Sequence, residues 1–240
     1  MGQAVKQAAE NAQGCQVVAG VDVCDKGDAS CLVYKNIAEI KEKADVIIDF
    51  SNPAALGSVL EYAKNSNTPA VICTTGFSEV QVEEIKKASK TVPILYSRNM
   101  SLGINLLLEL SRIAAKVLGD DFDIEIIEKH HNQKIDAPSG TALMIAEEIS
   151  SSKGEKLDYV YDRTGVRQAR TKSELGIHCI RGGTIAGDHE VIFAGNKEIV
   201  TLSHHAESRE IFARGAIKAA GFLKNQNPGF YTMADVVGEA

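Results

Sequence analysis

Four short, continuously apolar runs punctuate the first hundred residues: CQVVAGVD (15–22), DVIIDFS (45–51), PAVICTT (69–75) and VPILYS (92–97). Runs of this kind, rich in β-branched residues and lacking polar alternation, predict strands buried on both faces of a parallel sheet. Helical patterns fall between and around them at 3–13, 52–66 and 78–90. The third opens on Ser78, which suits an N-cap, and sets Glu83 and Glu84 ahead of Lys86 and Lys87, so that acid and base meet about one turn apart. Repeated β–α alternation predicts a doubly wound, Rossmann-type α/β sheet.

Beyond residue 100 the pattern changes. A long apolar helix is predicted over 101–119, followed by a strand in FDIEIIEKHH and a capped helix over 139–152. Three further strands, LGIHCIRGG, HEVIFAG and KEIVTLSHHA, follow without regular helices between them. Their Gly-Asp and Gly-Asn turns suit an open, mostly antiparallel or mixed sheet. An amphipathic helix over 208–225 then precedes PGFYTMADVVG. The expected organisation is a dinucleotide-binding domain over 1–98, an α+β domain over 99–207, and a last segment, 208–240, returning to the first domain.

Composition narrows the function. An apolar content of 44% in 240 residues provides a core, and 24% charged residues argue against disorder. A net charge of −6 disfavours nucleic acid as a partner, because phosphate binding wants a basic face. Cys15, Cys24, Cys31, Cys73 and Cys179 are odd in number and form no C-x-x-C pair, as expected of reduced thiols. The N-terminal stretch has no apolar h-region, and no apolar run approaches the roughly 18 residues of a membrane span. A soluble, cytoplasmic protein with no membrane partner is expected.

Residues Glu128 to Ala142 read EKHHNQKIDAPSGTA and concentrate the chemistry. His130 and His131 titrate near neutrality, and Lys134 adds a cation three positions on. Ser139, Gly140 and Thr141 open a helix whose cap and N–H groups suit an anion. The segment predicts a pocket for a small anion with a proton donor beside it. Both histidines also read as ordinary strand residues, and adjacent strand positions face opposite sides. Asp136 would repel an anion, so its expected role is to cap the helix or to orient Lys134. His204 and His205 lack a following lysine or cap and are expected to serve structure or an interface.

In the first half, Asp22 ends a predicted strand 20 positions after Gly2, close to the spacing between a fingerprint glycine and the acid that binds a dinucleotide ribose. Gly2 is accordingly read as the tail of a glycine-rich loop whose front, with the first strand, is absent. By itself Asp22 is equally a turn residue. As a ribose ligand its carboxylate repels a 2′-phosphate and favours NADH over NADPH, a preference that Lys26 would soften. Thr74-Thr75-Gly76 and Ser97-Arg98-Asn99-Met100 follow buried strands at the carboxyl ends, where open α/β sheets bind ligands.

Taken together, E-x-H-H-x-x-K-x-D-A-P-S-G-T-A, DVIIDFS, CTTGF, the S-x-N-M-S segment at 97–101, IRGG at 180–183 and Ser208-Arg209 resemble the 4-hydroxy-tetrahydrodipicolinate (dihydrodipicolinate) reductase family along essentially the whole chain. The resemblance implies a Rossmann domain, a substrate domain whose sheet builds a homotetramer, and reduction of a cyclic unsaturated dicarboxylate by NADH or NADPH in lysine and diaminopimelate synthesis. It implies His130 as the acid/base residue and Lys134 as proton donor. His131, Ser139, Gly140 and Thr141, with Arg209, are implied as substrate contacts. Met1, Asp22, the segment Cys73, Thr74, Thr75 and the segment Ser97, Arg98, Asn99, Met100 are implied as cofactor contacts. Cys73 replaces the family's glycine before the Thr-Thr pair.

Two other functions fit parts of the sequence. A metal-dependent hydrolase would draw ligands from His130, His131, His204 and His205, but the chain has no H-E-x-x-H and no i, i+4 histidine pair. A catalytically impaired, truncated relative would act only in binding or assembly. An oxidoreductase is the expectation, with no metal.

Overall fold

The computed structural model describes residues 1–24, 31–154 and 156–238; Lys26 lies outside them. The first half runs α1 (Gly2–Glu10), β1 (Ala19–Val21), β2 (Leu32–Tyr34), β3 (Ile47–Asp49), α2 (Leu56–Ser66), β4 (Ala70–Ile72), α3 (Glu79–Ala88) and β5 (Pro93–Tyr96). Then come α4 (Leu102–Leu118), β6 (Asp123–His130), α5 (Gly140–Lys153), β7 (Asp158–Val160), β8 (Glu174–Arg181), β9 (Gly187–Ala194) and β10 (Ile199–Ala206). Helix α6 (Glu210–Leu223), β11 (Gly229–Tyr231) and α7 (Met233–Gly238) close the chain. Contacts divide it into one unit of Met1–Leu102 with the segment from Glu210 onward, and a second of Gly103–Arg209.

The first unit is Rossmann-like. Strands β11-β5-β4-β3 form an all-parallel sheet, and β1-β2 form a separate parallel pair. In a doubly wound order of 3-2-1-4-5-6, β2, β1, β3, β4 and β5 take places 3, 2, 4, 5 and 6. Among the described residues no strand takes place 1, and the sheet is in two pieces. Ala70 and Ile72 of β4 pack with Leu56, Leu60, Ala63 and Ile85 of α2 and α3. Val71 and Leu95 face the other way, onto Ala216, Ala219, Leu223, Met233 and Val236. Helices therefore cover both faces, which is why these strands read as unbroken apolar runs.

Each strand is shorter than its apolar run; in the run over 45–51 the last residues turn into a loop held by polar groups. Past β3, Asp49 accepts the Ser51 N–H at 3.0 Å and the Thr74 hydroxyl at 2.9 Å. Helix α3 starts where the sequence placed it, with Ser78 and Gln81 in a reciprocal capping box, and Lys86 pairs with Glu83 at 2.6 Å.

The second unit is a mixed sheet, ordered β10-β9-β6-β8-β7, with β6–β8 and β8–β7 parallel and the β6–β9 and β9–β10 pairs antiparallel. Ile124 and Ile126 of β6, Leu175 and Ile177 of β8, and Val191 and Phe193 of β9 form one apolar face. It packs on Ile104 and Leu107 of α4 and on Ile145, Ala146 and Ile149 of α5. Helix α5 is capped by Ser139, whose hydroxyl accepts the Ala142 N–H, and stops at Gly154 in the left-handed conformation (φ 71°). Among the described residues no helix is long and apolar enough to cross a membrane.

One close approach fixes α6. A Cβ on Gly215 would lie 1.7 Å from the Met100 carbonyl oxygen, so α6 reaches the 97–101 loop only because position 215 has no side chain. Gly221, on the same helix, has no neighbouring atom within 4 Å of such a Cβ. Gly215→Ala is expected to lower the unfolding free energy by about 2 kcal/mol or more through overpacking. Gly221→Ala should be neutral or stabilising by up to about 1 kcal/mol. Urea denaturation of the two variants compares them directly, and equal effects would contradict this account.

Candidate active site

Counting by two along β6 from the apolar Ile124 and Ile126 brings Glu128 and then His130 onto the same face. Glu128 is fully buried, and both oxygens of its carboxylate are hydrogen-bonded. Oε1 accepts from Arg181 Nη2 at 2.7 Å and from the Ser139 N–H at 3.0 Å. Oε2 accepts from Arg181 Nη1 at 2.7 Å and lies 2.6 Å from His130 Nδ1. Burial alone would push this carboxyl up, but the hydrogen bonds from His130 and Arg181 hold it down to about 2. An ionised carboxylate only accepts, so His130 Nδ1 is the donor.

The imidazole of His130 has neighbours on two further sides. The ring of His189, on β9, meets it edge-on at a centroid distance of 5.3 Å. Gly187, also on β9, would bring a Cβ to 3.1 Å from Nε2, so its lack of a side chain leaves that nitrogen room. His189 is buried, with Nε2 at 3.0 Å from the Ser139 hydroxyl. Burial, then the charge of His130, push its pKa down to about 4.

The loop after β6 is pinned at both ends. Two backbone bonds tie the start of this loop to the glycines just past β8: Gly182 N–H donates to His130 O at 2.9 Å, and Asn132 N–H donates to Gly183 O at 3.2 Å. Within the loop the Lys134 N–H donates to His131 O at 3.1 Å. Arg181 Nη2 also donates to the Asp136 carbonyl at 2.7 Å, and Lys134 Nζ donates to Asp136 Oδ1 at 2.7 Å. Of the two roles open to Asp136, capping falls to Ser139, and Asp136 pairs with Lys134. The Lys134 ammonium holds the Asp136 carboxyl below its usual range. Arg181, His130, Lys134 and the start of α5 are thus joined through one buried carboxylate. Arg209 is exposed just ahead of α6.

His204 and His205 lie on β10, beside His189 and Asp188 of β9. His205 pairs with Asp188, and His204 lies opposite His189 in the β9–β10 register. Among the described residues no group of three or more His, Cys, Asp or Glu side chains is arranged to hold a metal ion.

In the first unit the residues singled out for a dinucleotide lie at the carboxyl ends of parallel strands. Asp22 follows β1 directly and accepts the Cys24 N–H at 2.8 Å. Cys73 and Thr74, just past β4, are buried, and Thr75 is exposed. Burial, then the Asp49 charge, push the Cys73 thiol well above its usual range. Past β5, Ser97 Oγ donates to Asn99 O at 2.8 Å, and Asn99 Oδ1 accepts the Ser101 N–H at 2.9 Å. Arg98 between them is exposed, and Met100 is buried under α6. Met1 occupies the N-cap position of α1, with no side-chain cap hydrogen bond.

Glu128, Arg181, Gly187 and His189 belong to this arrangement and were not singled out from the sequence as site residues. One signal for Glu128 is in the sequence: an acid at the third place of an otherwise apolar alternation, Ile124, Ile126, Glu128. The three others come from strands more than fifty residues downstream, and only pairing register brings them in.

These shifts set an acid limit on stability. His189 and Glu128 both have folded pKa values below their unfolded ones, 6.5 and 4.5 respectively. Each contributes stability that is present above the unfolded value and is lost as pH falls toward the folded one. Unfolding free energy is therefore expected to fall from about pH 6.5 to 4 through His189, and on toward about pH 2 through Glu128, the latter amounting to about 3 kcal/mol. Denaturation curves across this range should show the first decline flattened in His189→Gln. An unchanged decline in that variant would contradict the assignment.

Comparison with known proteins accords with this geometry. Residues 1–100 match the family model described as dihydrodipicolinate reductase, N-terminus, and residues 103–237 match dihydrodipicolinate reductase, C-terminus. The 4-hydroxy-tetrahydrodipicolinate reductase of Clostridium novyi is 48% identical, covering 99% of this chain and 94% of that one. Its counterpart from Caldanaerobacter subterraneus is 52% identical over the same shares. Among solved structures, a dipicolinate-bound dihydrodipicolinate reductase from Paenisporosarcina has a TM-score of 0.81 at 24% identity, covering 96% of this chain and 92% of that one. A probable dehydrogenase from Thermotoga maritima shares the fold at a TM-score of 0.60 and 11% identity, over 98% and 89% of the two chains. With both family models matched in tandem and relatives this similar along nearly its whole length, the chain belongs to the dihydrodipicolinate reductase family, NAD(P)H-dependent oxidoreductases with a Rossmann-type N-terminal domain.

Proposed function

We propose that this protein reduces 4-hydroxy-tetrahydrodipicolinate to tetrahydrodipicolinate, in the cytoplasm, as a step in lysine and diaminopimelate synthesis. The observation that carries this reading is the single segment, 130–141, that combines His130, Lys134 and the N-terminal end of α5. A dicarboxylate needs cations and backbone donors inside a chain of net charge −6. The positive end of the α5 dipole, at Gly140 and Thr141, meets one carboxylate, with His131 and Arg209 as further contacts. Ser139 contributes from beneath, since its hydroxyl is engaged by Ala142 and His189. Lys134 reaches substrate by exchanging Asp136 for a substrate carboxylate. Such a partly exposed pair is worth no more than about 1 kcal/mol, so the exchange costs little. A proton must reach the carbon next to the one that is reduced, and His130 and Lys134 are the groups positioned to deliver it.

The first unit fits a dinucleotide. Its open helix end at Met1, the acid Asp22 after β1, and the loops 73–75 and 97–100 at adjacent strand ends are of the kind that hold pyrophosphate, ribose and nicotinamide. When bound, the reduced nicotinamide supplies the hydride. The Asp22 carboxylate favours NADH over NADPH. The mixed sheet of the second unit is read as the assembly surface of a homotetramer.

Absorbance of reduced nicotinamide, followed with NADH and with NADPH, is expected to fall only when the dicarboxylate is present, and faster with NADH at limiting cofactor. His130→Ala and Lys134→Met should each lower kcat by about 10²-fold or more while the cofactor KM stays within about twofold. Wild-type rates in both would overturn the reading. Asp136→Asn, which releases Lys134 from its partner, should lower the KM for the dicarboxylate several-fold; a raised KM would show instead that Asp136 is needed to place the lysine.

A further inference from the structure

We infer that Glu128 is a positioning residue for the reaction: it fixes His130 with its proton on Nδ1, so that Nε2 is the nitrogen that gives and takes protons. The inference rests on the reading of His130 as the acid/base residue and adds what makes that residue competent.

A histidine on a strand has two nitrogens and free choice of tautomer, and only one arrangement presents the useful atom. Here the choice is removed. Nδ1 lies 2.6 Å from a carboxylate oxygen that is fully buried. That carboxylate is kept anionic by two bonds from Arg181, both at 2.7 Å, and by the Ser139 N–H at 3.0 Å. An acceptor-only partner demands Nδ1–H in the neutral ring. Nε2 then carries a lone pair when the ring is neutral and the transferable proton when it is charged. The surroundings of Nε2 agree, since a Cβ on Gly187 would lie 3.1 Å from it and that position has no side chain to cover it. Arg181 balances the charge of the carboxylate, so the pair adds no net repulsion toward an anionic substrate.

Glu128 also anchors the Ser139 cap and, through Arg181, the Asp136 carbonyl. A loss of activity on its substitution would therefore not by itself separate positioning from scaffolding. A double-mutant cycle does, with steady-state kinetics on the full chain as wild type, Glu128→Gln, His130→Ala and the double variant. Glutamine can turn its amide toward Nδ1 and permit the other tautomer. If Glu128 acts through His130, E128Q lowers kcat by about 10²-fold in the wild-type background and by less than about threefold when His130 is already alanine. The KM for the dicarboxylate should change little in either. An equal cost in both backgrounds, or a cost confined to KM, would overturn the inference and leave the catalytic reading of His130 standing. Wild-type turnover in H130A would overturn that reading instead.

A second measurement needs no variant of Glu128. In the wild-type protein with 15N-labelled histidine, the His130 signals, identified by their loss in H130A, should show a protonated Nδ1 and an unprotonated Nε2 at alkaline pH. The opposite tautomer would overturn the inference whether or not E128Q folds.

Discussion

Glu128 occupies a place in the second unit that its neighbours would give to isoleucine. It continues the inward-facing alternation of β6, and an unpaired charge there would cost several kcal/mol. The carboxylate persists because three separate pieces of chain converge on it: Arg181 from β8, the backbone of Ser139 from the start of α5, and His130 from its own strand. The convergence works in both directions. Each donor satisfies part of the buried charge, and each is in turn placed by it. Helix α5 begins where it does because its cap residue is held from both sides, the N–H on Glu128 and the hydroxyl on Ala142 and His189. The loop between β6 and α5, which carries His131 and Lys134, is closed at its far end by the second hydrogen bond of Arg181, to Asp136. Removing one member of such a set leaves the others buried and unpaired.

The sequence carried more of this than its local patterns usually do, and the reasons are specific. Ser78 and Ser139 announced two helix starts because capping is a local bond between a hydroxyl and an N–H three residues on, and both caps are present. Asp136 was narrowed to two roles by repulsion alone, and geometry chose the pairing with Lys134. The strands β2, β7 and β11 went unread. Each has three residues, as do β1, β3 and β4, but unlike those three they lie in no longer apolar run that would announce a buried strand. Arg181 was visible as part of IRGG, yet nothing local tied it to an acid fifty-three positions earlier. That link is a fact of register, with Glu128 opposite Cys179 and His130 opposite Arg181.

In the first unit the loops read as cofactor contacts are ordered by a smaller network with the same logic. Asp49 is buried at the end of β3 and takes the Thr74 hydroxyl and the Ser51 N–H, so the loop after β4 is fixed by the strand beside it. The loop after β5 is fixed by its own side chains, Ser97 and Asn99, and by the closeness of α6 at Gly215. Both loops therefore have their backbone held before any ligand arrives, which lowers the ordering cost of binding.

The charge arithmetic of the second unit explains how an acidic protein receives a doubly negative molecule without assembling a surplus of cations. Arg181 is neutralised by Glu128, and Lys134 by Asp136, so the segment as folded presents little net charge. The two pairs differ in burial. The Arg181 pair is anchored to a carboxylate with no exposure, whereas Asp136 leaves 55% of its side chain exposed. Separating the first would strand a charge in the interior, a cost of several kcal/mol; separating the second returns Asp136 to water at a cost of at most about 1 kcal/mol. One cation is thereby committed to structure and the other is available for exchange. In the reaction proposed above, a substrate carboxylate that displaces Asp136 would gain a full positive charge while the scaffold beneath keeps its own pairing intact. Under the proposed mechanism His130 sits against the anchored pair, so that a proton exchanged at Nε2 leaves the bonds that hold the site together in place.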